Sequence, residues 1–332
     1  MIMIRVAING FGRIGRFVTR ALQSHPAIEL VAINDLADTK TLAHLIKYDS
    51  VHGKFNAEIG HNPQAIIING KEIKIYQEKD PANLPWKTLN IDFVIESTGL
   101  FLTKELAQKH ITAGAKKVII SAPAKGDDVK TIVLGVNDDI LTNEDLIISN
   151  ASCTTNAAAP LIKVLNEIGD IENAFISTVH SYTNDQKLHD APHKDLRRAR
   201  AGAVSIVPTS TGAAQAITKI FPKIIGRVEG SAFRVPIPDG SLIDITAFTN
   251  KPLNAELINA AFKKAAETNL KGILEYTDEP IVSVDIVGNS HSCIFDSLLT
   301  VTNGNMVKVV GWYDNEAGYS NRLVDLMEKI GK

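Results

Sequence analysis

The run Gly10-Phe11-Gly12-Arg13-Ile14-Gly15, read with its flanks, constrains the fold more than any other feature. An apolar stretch at 4–8 precedes it and a helical pattern at 16–24 follows. Asp35 stands 20 residues after Gly15, at the end of a second apolar stretch, 30–34. Three glycines at this spacing carry little weight alone. Between a strand and a helix, with an acid at that distance, they form a dinucleotide-binding fingerprint. The glycines allow a tight turn and close backbone approach, and the helix N-terminus receives the pyrophosphate. A carboxylate at Asp35 accepts hydrogen bonds from a ribose 2′-hydroxyl and repels a 2′-phosphate, so NAD is expected over NADP. A glycine turn in a plain α/β domain is the alternative.

Further strands are expected at 93–96, 118–121, 132–136 and 146–149, with a second amphipathic stretch at 104–113. Alternating strands and helices predict a Rossmann-type doubly wound parallel sheet. After about residue 150 the β-rich runs 242–249, 282–287, 292–295 and 306–313 have fewer helices between them. They predict an α+β catalytic domain with a mostly antiparallel sheet. The expected organisation is an NAD-binding domain over 1–150 and a catalytic domain over 151–315. A C-terminal helix over 316–332, capped by Asp314 or Asn315, would pack back on the first domain.

Cys153 follows the apolar run 146–148 and precedes a helical run. It therefore falls in the first turn of a helix, where unpaired N–H groups and the positive dipole end favour a thiolate. Of nine histidines, His180 is the best base for it, at the end of the apolar run 174–179. A helix of about 16 residues travels about 24 Å, and a strand of about seven residues returns nearly as far. His180 would come back level with Cys153. Its positive form would lower the thiol pKa, and its neutral form could take a hydroxyl proton. A strand-end histidine bonded locally is the other reading. Cys293 reads as a small buried apolar residue in a strand, and His291 as a surface strand histidine. No Cys/His cluster has zinc spacing, so no metal is expected.

The 332 residues carry a formal charge of −2 without a long block of one sign, so nothing points to a nucleic-acid or membrane partner. Two cysteines make no disulfide scaffold, and a reducing compartment fits. With neither a signal peptide nor a membrane span in view, a cytoplasmic protein is expected.

Several stretches taken in order resemble the phosphorylating glyceraldehyde-3-phosphate dehydrogenase family over essentially the whole chain. They are Ala7-Ile8-Asn9-Gly10-Phe11-Gly12-Arg13-Ile14-Gly15-Arg16, Ser149-Asn150-Ala151-Ser152-Cys153-Thr154-Thr155-Asn156 and Thr178-Val179-His180-Ser181-Tyr182-Thr183-Asn184-Asp185-Gln186. Asp195-Leu196-Arg197-Arg198-Ala199-Arg200, Pro208-Thr209-Ser210-Thr211-Gly212-Ala213-Ala214, Phe233-Arg234-Val235-Pro236 and Trp312-Tyr313-Asp314-Asn315-Glu316 complete the set. The cysteine octapeptide is the most specific of them.

The resemblance implies a sequence of steps. The Cys153 thiolate attacks an aldehyde, His180 accepts the hydroxyl proton as hydride leaves, and inorganic phosphate discharges the resulting thioester. The substrate would be glyceraldehyde 3-phosphate. Its phosphate is assigned to Thr183 and Arg234, with Arg198 a further contributor, although Arg197 and Arg200 stand in the same basic loop. Ser152, Thr154, Thr211 and Gly212 would hold the attacking phosphate. For the cofactor, the resemblance adds Arg13 and Ile14 at the pyrophosphate turn, Lys79 and Ser121 toward the adenine and ribose, and Asn315 at the nicotinamide amide. The loop at 181–204 resembles a family segment at a subunit interface, which implies a homotetramer. Leu36 and Pro192 match the NAD-preferring form. Ala157 departs from the pattern, since many relatives carry a second cysteine there. The rivals are erythrose-4-phosphate dehydrogenase, aspartate-semialdehyde dehydrogenase and a non-catalytic binding protein of the same fold. Thr211-Gly212-Ala213-Ala214 favours the phosphorylating enzyme over the first, and the second lacks the matched stretches.

Overall fold

The computed structural model describes residues 3–331, and the chain divides into two compact units. The first comprises the residues up to Ile132, Asp139–Ala151 and those from Ser320 on; the second comprises Val133–Asp138 and Ser152–Tyr319.

The first unit is built on nine strands: β1 (Ile4–Asn9), β2 (Ile28–Asn34), β3 (Ile59–Asn62), β4 (Ala65–Ile68), β5 (Lys71–Tyr76), β6 (Phe93–Glu96), β7 (Lys117–Ile120), β8 (Lys130–Thr131) and β9 (Ile147–Ser149). Their order across the sheet is β3-β4-β5-β2-β1-β6-β7-β9-β8. From β5 to β8 every pairing is parallel, while β3 and β4 add an antiparallel margin. Helices α1 (Arg13–Ala21), α2 (Thr39–Lys47) and α3 (Lys104–Thr112) alternate with the strands. The chain winds outward from β1 to β2 and later restarts on β1's other side with β6. This makes β1/β6 the switch point of a Rossmann-type sheet, where ligands bind beyond the strand C-termini. The core strands are apolar on both faces: Val6, Ile8, Ile33, Val94, Ile95 and Ile119 are all fully buried.

The second unit's sheet joins β10 (Ile171–Ser181), β11 (Val207–Thr209), β12 (Val228–Val235), β13 (Ser241–Thr249), β14 (Leu274–Thr277), β15 (Cys293–Asn303) and β16 (Met306–Tyr313). Their order is β11-β12-β10-β13-β16-β15-β14, antiparallel except for β10/β12 and β14/β15. Helices α4 (Cys153–Gly169), α5 (Ala213–Ile220) and α6 (Ala255–Glu267) belong to this unit, and α4 lies against β10, β13, β15 and β16. Ile162, Leu165, Ile176, Ile245 and Val309 are buried without exposure in this core. The last helix, α7 (Ala317–Ile330), begins in the second unit and ends among the residues counted with the first.

Two expected strands are absent. Residues 132–136 and 282–287 form turns: the first contains Gly135 at φ 75°, and the second is bonded only locally, through Val282 to Asp285. Both are rich in β-branched residues, which favour a strand only where a partner strand lies alongside, so composition alone misled. His291 lies in the bend before β15, where its Nδ1 is 2.9 Å from Glu275 Oε2, rather than within a strand. Cys293 is fully buried.

Candidate active site

Cys153 opens α4. Ser152 is the N-cap, its Oγ accepting from the Thr155 N–H at 3.0 Å. Just before it, Ala151 takes φ 57°, a left-handed conformation that a residue with a Cβ adopts at some cost. The turn from β9 into α4 thus places the sulfur at the helix N-terminus. His180 is the penultimate residue of β10, and its Nε2 lies 3.4 Å from Cys153 Sγ. The strand begins at Ile171, earlier than its apolar run suggests, yet it still returns to the start of α4.

The parallel register of β10 and β12 pairs His180 with Arg234. Arg234 Nη1 lies 2.9 Å from His180 Nδ1, 3.0 Å from Ser181 O and 3.5 Å from Thr183 Oγ1. Ser181 O, 2.8 Å from Nδ1, can only accept. Nδ1 thus faces an acceptor, Ser181 O, and a donor, Arg234 Nη1; in the tautomer that gives Nδ1–H to Ser181 O, the Nε2 lone pair faces the sulfur. Burial and then the Arg234 cation hold His180 down at about 3, so the imidazole is neutral near pH 7. Burial pushes the Cys153 thiol up, and the Arg234 guanidinium pulls it back. The cation that favours the thiolate is therefore Arg234 rather than the expected imidazolium, because burial, and then a permanent charge at 2.9 Å, disfavour protonation of the ring.

Tyr313, to which the sequence assigns no role, is buried beside the pair. Its hydroxyl lies 3.0 Å from Thr154 Oγ1 and 2.8 Å from Thr178 Oγ1, and its ring stands edge-on to His180. Tyrosine closing an alternating strand beside the assigned Asn315 was the available signal. The Asn315 Oδ1 accepts from the hydroxyls of Ser181 (2.8 Å) and Ser241 (2.7 Å), which turns its Nδ2 to the other side. The choice of cap falls to Asp314, whose Oδ1 takes the N–H groups of Glu316 and Ala317.

The anion-binding candidates gather around this pair unequally. Arg234 Nε is buried with no partner among the described residues, a donor left over for an anion. Arg198 donates to Asp185, to Thr209 Oγ1 at 2.8 Å and to Ser210 O, and its charge reaches His180 and Arg234. Arg200 is instead paired with Asp190 on the surface. The Ser152 and Thr154 hydroxyls are engaged in the cap and with Tyr313, so in this conformation the first-turn N–H groups are the donors those residues have to offer. Gly212 caps α5 without any side-chain bond and faces open space, with Thr211 Oγ1 accepting from Ala213 N–H beside it.

In the first unit, the glycine turn is built as its spacing predicts. Gly10 has φ 93°, and a Cβ there would meet the Ser97–Thr98 peptide at 2.8 Å. A Cβ on Gly15 would collide with Gly10 O. Gly12, the uncapped N-terminus of α1, is exposed with nothing within 4 Å of its missing Cβ. This leaves room for a pyrophosphate at the N-terminus of α1, the fit a dinucleotide requires. Asp35 Oδ2 accepts from Phe11 N–H at 2.8 Å and Oδ1 from Ala37 N–H at 3.0 Å, fixing its carboxylate beside the turn. Arg13 pairs with Asp49 at 2.7 Å, and Ile14 is half-buried in the first turn of α1. Ser121 follows β7, donating its N–H to Glu96 O, and Lys79 is exposed in the loop after β5.

Residues 4–104 match the family model described as glyceraldehyde 3-phosphate dehydrogenase, NAD binding domain. Residues 152–315 match that of the C-terminal domain. With the parallel sheet and its glycine turn, these matches define an NAD-dependent dehydrogenase. Glyceraldehyde-3-phosphate dehydrogenase of Thermotoga maritima is 57% identical over 99% of this chain and 100% of its own. That of Geobacillus stearothermophilus is 56% identical over 98% of both, and glyceraldehyde-3-phosphate dehydrogenase 1 of Bacillus subtilis 54% over 99% and 98%. The chain belongs to the glyceraldehyde-3-phosphate dehydrogenase family.

Proposed function

We propose that the protein oxidises D-glyceraldehyde 3-phosphate, with NAD and inorganic phosphate, to 1,3-bisphosphoglycerate. The carrying observation is the 3.4 Å approach of His180 Nε2 to Cys153 Sγ, with Arg234 alongside. Sγ adds to the aldehyde carbon, and the sulfur's proton reaches the new hydroxyl by way of Nε2. His180 then takes that hydroxyl proton as the carbon loses hydride, leaving a thioester on Cys153. NAD, when bound, supplies the hydride acceptor. A phosphate oxygen next attacks the thioester carbon and the C–S bond breaks; the acyl phosphate leaves, and His180 returns the proton to sulfur. The Cys153 backbone N–H stabilises the oxyanion at each addition.

Arg234 and Thr183, with Arg198, take the substrate's phosphate; the N-termini of α4 and α5, through Ser152, Thr154, Thr211 and Gly212, take the attacking one. Gly10, Gly12, Arg13, Ile14, Gly15, Asp35, Lys79 and Ser121 hold the dinucleotide, and Asn315 the nicotinamide amide. The part up to residue 150 thus serves as the NAD-binding domain and 151–315 as the catalytic one. The second sheet supports a homotetramer, because cross-strand register puts Phe175, Phe233, Phe248, Val301 and Met306 on one exposed face. A cytoplasmic location accords with two free cysteines, and no helix among the described residues is long and apolar enough to cross a membrane. Replacing the nucleophile tests the proposal. Cys153→Ser should lose about 10⁴-fold or more in turnover while still binding NAD; activity within about tenfold of the parent would refute the assignment.

A further inference from the structure

A connected set of buried polar side chains in the first unit takes no part in the chemistry above. Glu96, Asn9, Asn34 and His110 are each 5% exposed or less. Glu96 Oε1 accepts from the N–H of Thr98 at 2.8 Å and from the Thr98 hydroxyl. Its Oε2 accepts from Asn9 Nδ2 at 2.6 Å and from His110 Nε2 at 3.1 Å. Asn34 Nδ2 donates to Asn9 Oδ1 at 2.7 Å and to Glu78 O at 2.9 Å, and Asn34 Oδ1 accepts from Glu78 N–H at 2.8 Å.

The bond directions are forced from one end. The Trp86 indole N–H only donates, and it lies 3.0 Å from His110 Nδ1. His110 therefore carries its proton on Nε2 and gives it to Glu96. A carboxylate only accepts, so Asn9 presents Nδ2 to it and turns Oδ1 toward Asn34. Asn34 answers with Nδ2, and its Oδ1 is left for the Glu78 N–H. We infer that Glu96 is a positioning residue for the dinucleotide: its negative charge sets the orientation of two buried amides and ties together the C-terminal ends of β1, β2, β5 and β6. Gly10, Asp35, Lys79 and Thr98 stand at those ends, so the inference rests on the reading that this edge holds NAD.

A charge swap separates this role from mere packing. In Glu96→Gln, whichever way the amide sits, one of its ends meets an N–H with an N–H. Adding Asn9→Asp moves the anion one side chain along. The carboxylate then at position 9 can accept from the new amide at position 96 and from Asn34 Nδ2. It can also accept from His110 Nε2, which lies 3.4 Å from the Asn9 nitrogen being replaced. Calorimetric titration with NAD and with ADP-ribose is the readout, beside kcat at saturating NAD and KM for the aldehyde. For E96Q, Kd for both ligands should rise roughly tenfold while kcat and the aldehyde KM stay within about threefold. The N9D/E96Q double variant should bring Kd back to within about threefold of the parent. Parental NAD affinity in E96Q, or a double variant that binds as weakly as E96Q, would overturn the inference. Should E96Q fail to fold, the double variant decides alone: folded and tight supports the role, unfolded or weak rejects it. A parent protein that binds no NAD would instead sink the cofactor reading.

Discussion

At the scale of single residues, Arg234 links the two halves of the chemistry. Its guanidinium depresses His180, supports the Cys153 sulfur and keeps a buried Nε without a partner among the described residues. An anion is the natural occupant of such a donor. Arg234→Ala should therefore raise KM for glyceraldehyde 3-phosphate by roughly 10–100-fold, the worth of one charge-assisted contact. With unphosphorylated glyceraldehyde, where only the charge beside sulfur and imidazole is lost, kcat/KM should fall by less, and initial rates with both aldehydes check this. Equal losses with both would mean that Arg234 acts on sulfur and imidazole alone. Cys153 and the glycine turn were legible in the sequence because each sits at a strand–helix junction, and His180 because it closes an apolar strand run, features that short-range pattern reveals. The charge state of His180 was not legible, because it depends on burial and then on a residue 54 positions away brought alongside by the β10/β12 register.

At the scale of elements, the strand ends carry the polar groups and the strand middles carry the core. Where a run alternated or was uniformly apolar, as in β6 and β16, its boundaries could be read closely. The β3–β5 margin, a meander of short and partly exposed strands, left no such pattern, and the apolar runs at 132–136 and 282–287 form turns instead. Asp239, in the turn between β12 and β13, shows what such turns conceal. Burial, followed by the charges of Asp314 and Glu316, raises its carboxyl to about 9. A carboxyl raised from its unfolded value of about 3.9 binds a proton in the folded state that the unfolded chain has already released. Its stabilising contribution is full below about pH 4 and is lost as pH rises through about 9. Asp239→Asn keeps a neutral donor in place and cannot ionise. It should lose less Tm than the parent between about pH 7 and about pH 9 in thermal scans. Identical losses would show that another group sets the alkaline limit.

For the whole molecule, two units divide the work. A parallel sheet offers its C-terminal edge to a dinucleotide, and an antiparallel sheet carries the nucleophile helix on one face and exposed apolar side chains on the other. That uncovered face predicts association. Sedimentation should give a species of four 36.0 kDa chains, and Phe175→Lys with Phe248→Lys should shift it toward smaller assemblies. A monomeric parent would contradict the tetramer. The covalent route through Cys153 makes a sharper demand, since a thioester in a water-poor site waits for phosphate. Following NADH absorbance with glyceraldehyde 3-phosphate and NAD tests it most directly. With inorganic phosphate, turnover should be sustained. Without it, one equivalent of NADH per Cys153 should appear in a burst and production should then stop. Steady turnover in the absence of phosphate would contradict the account.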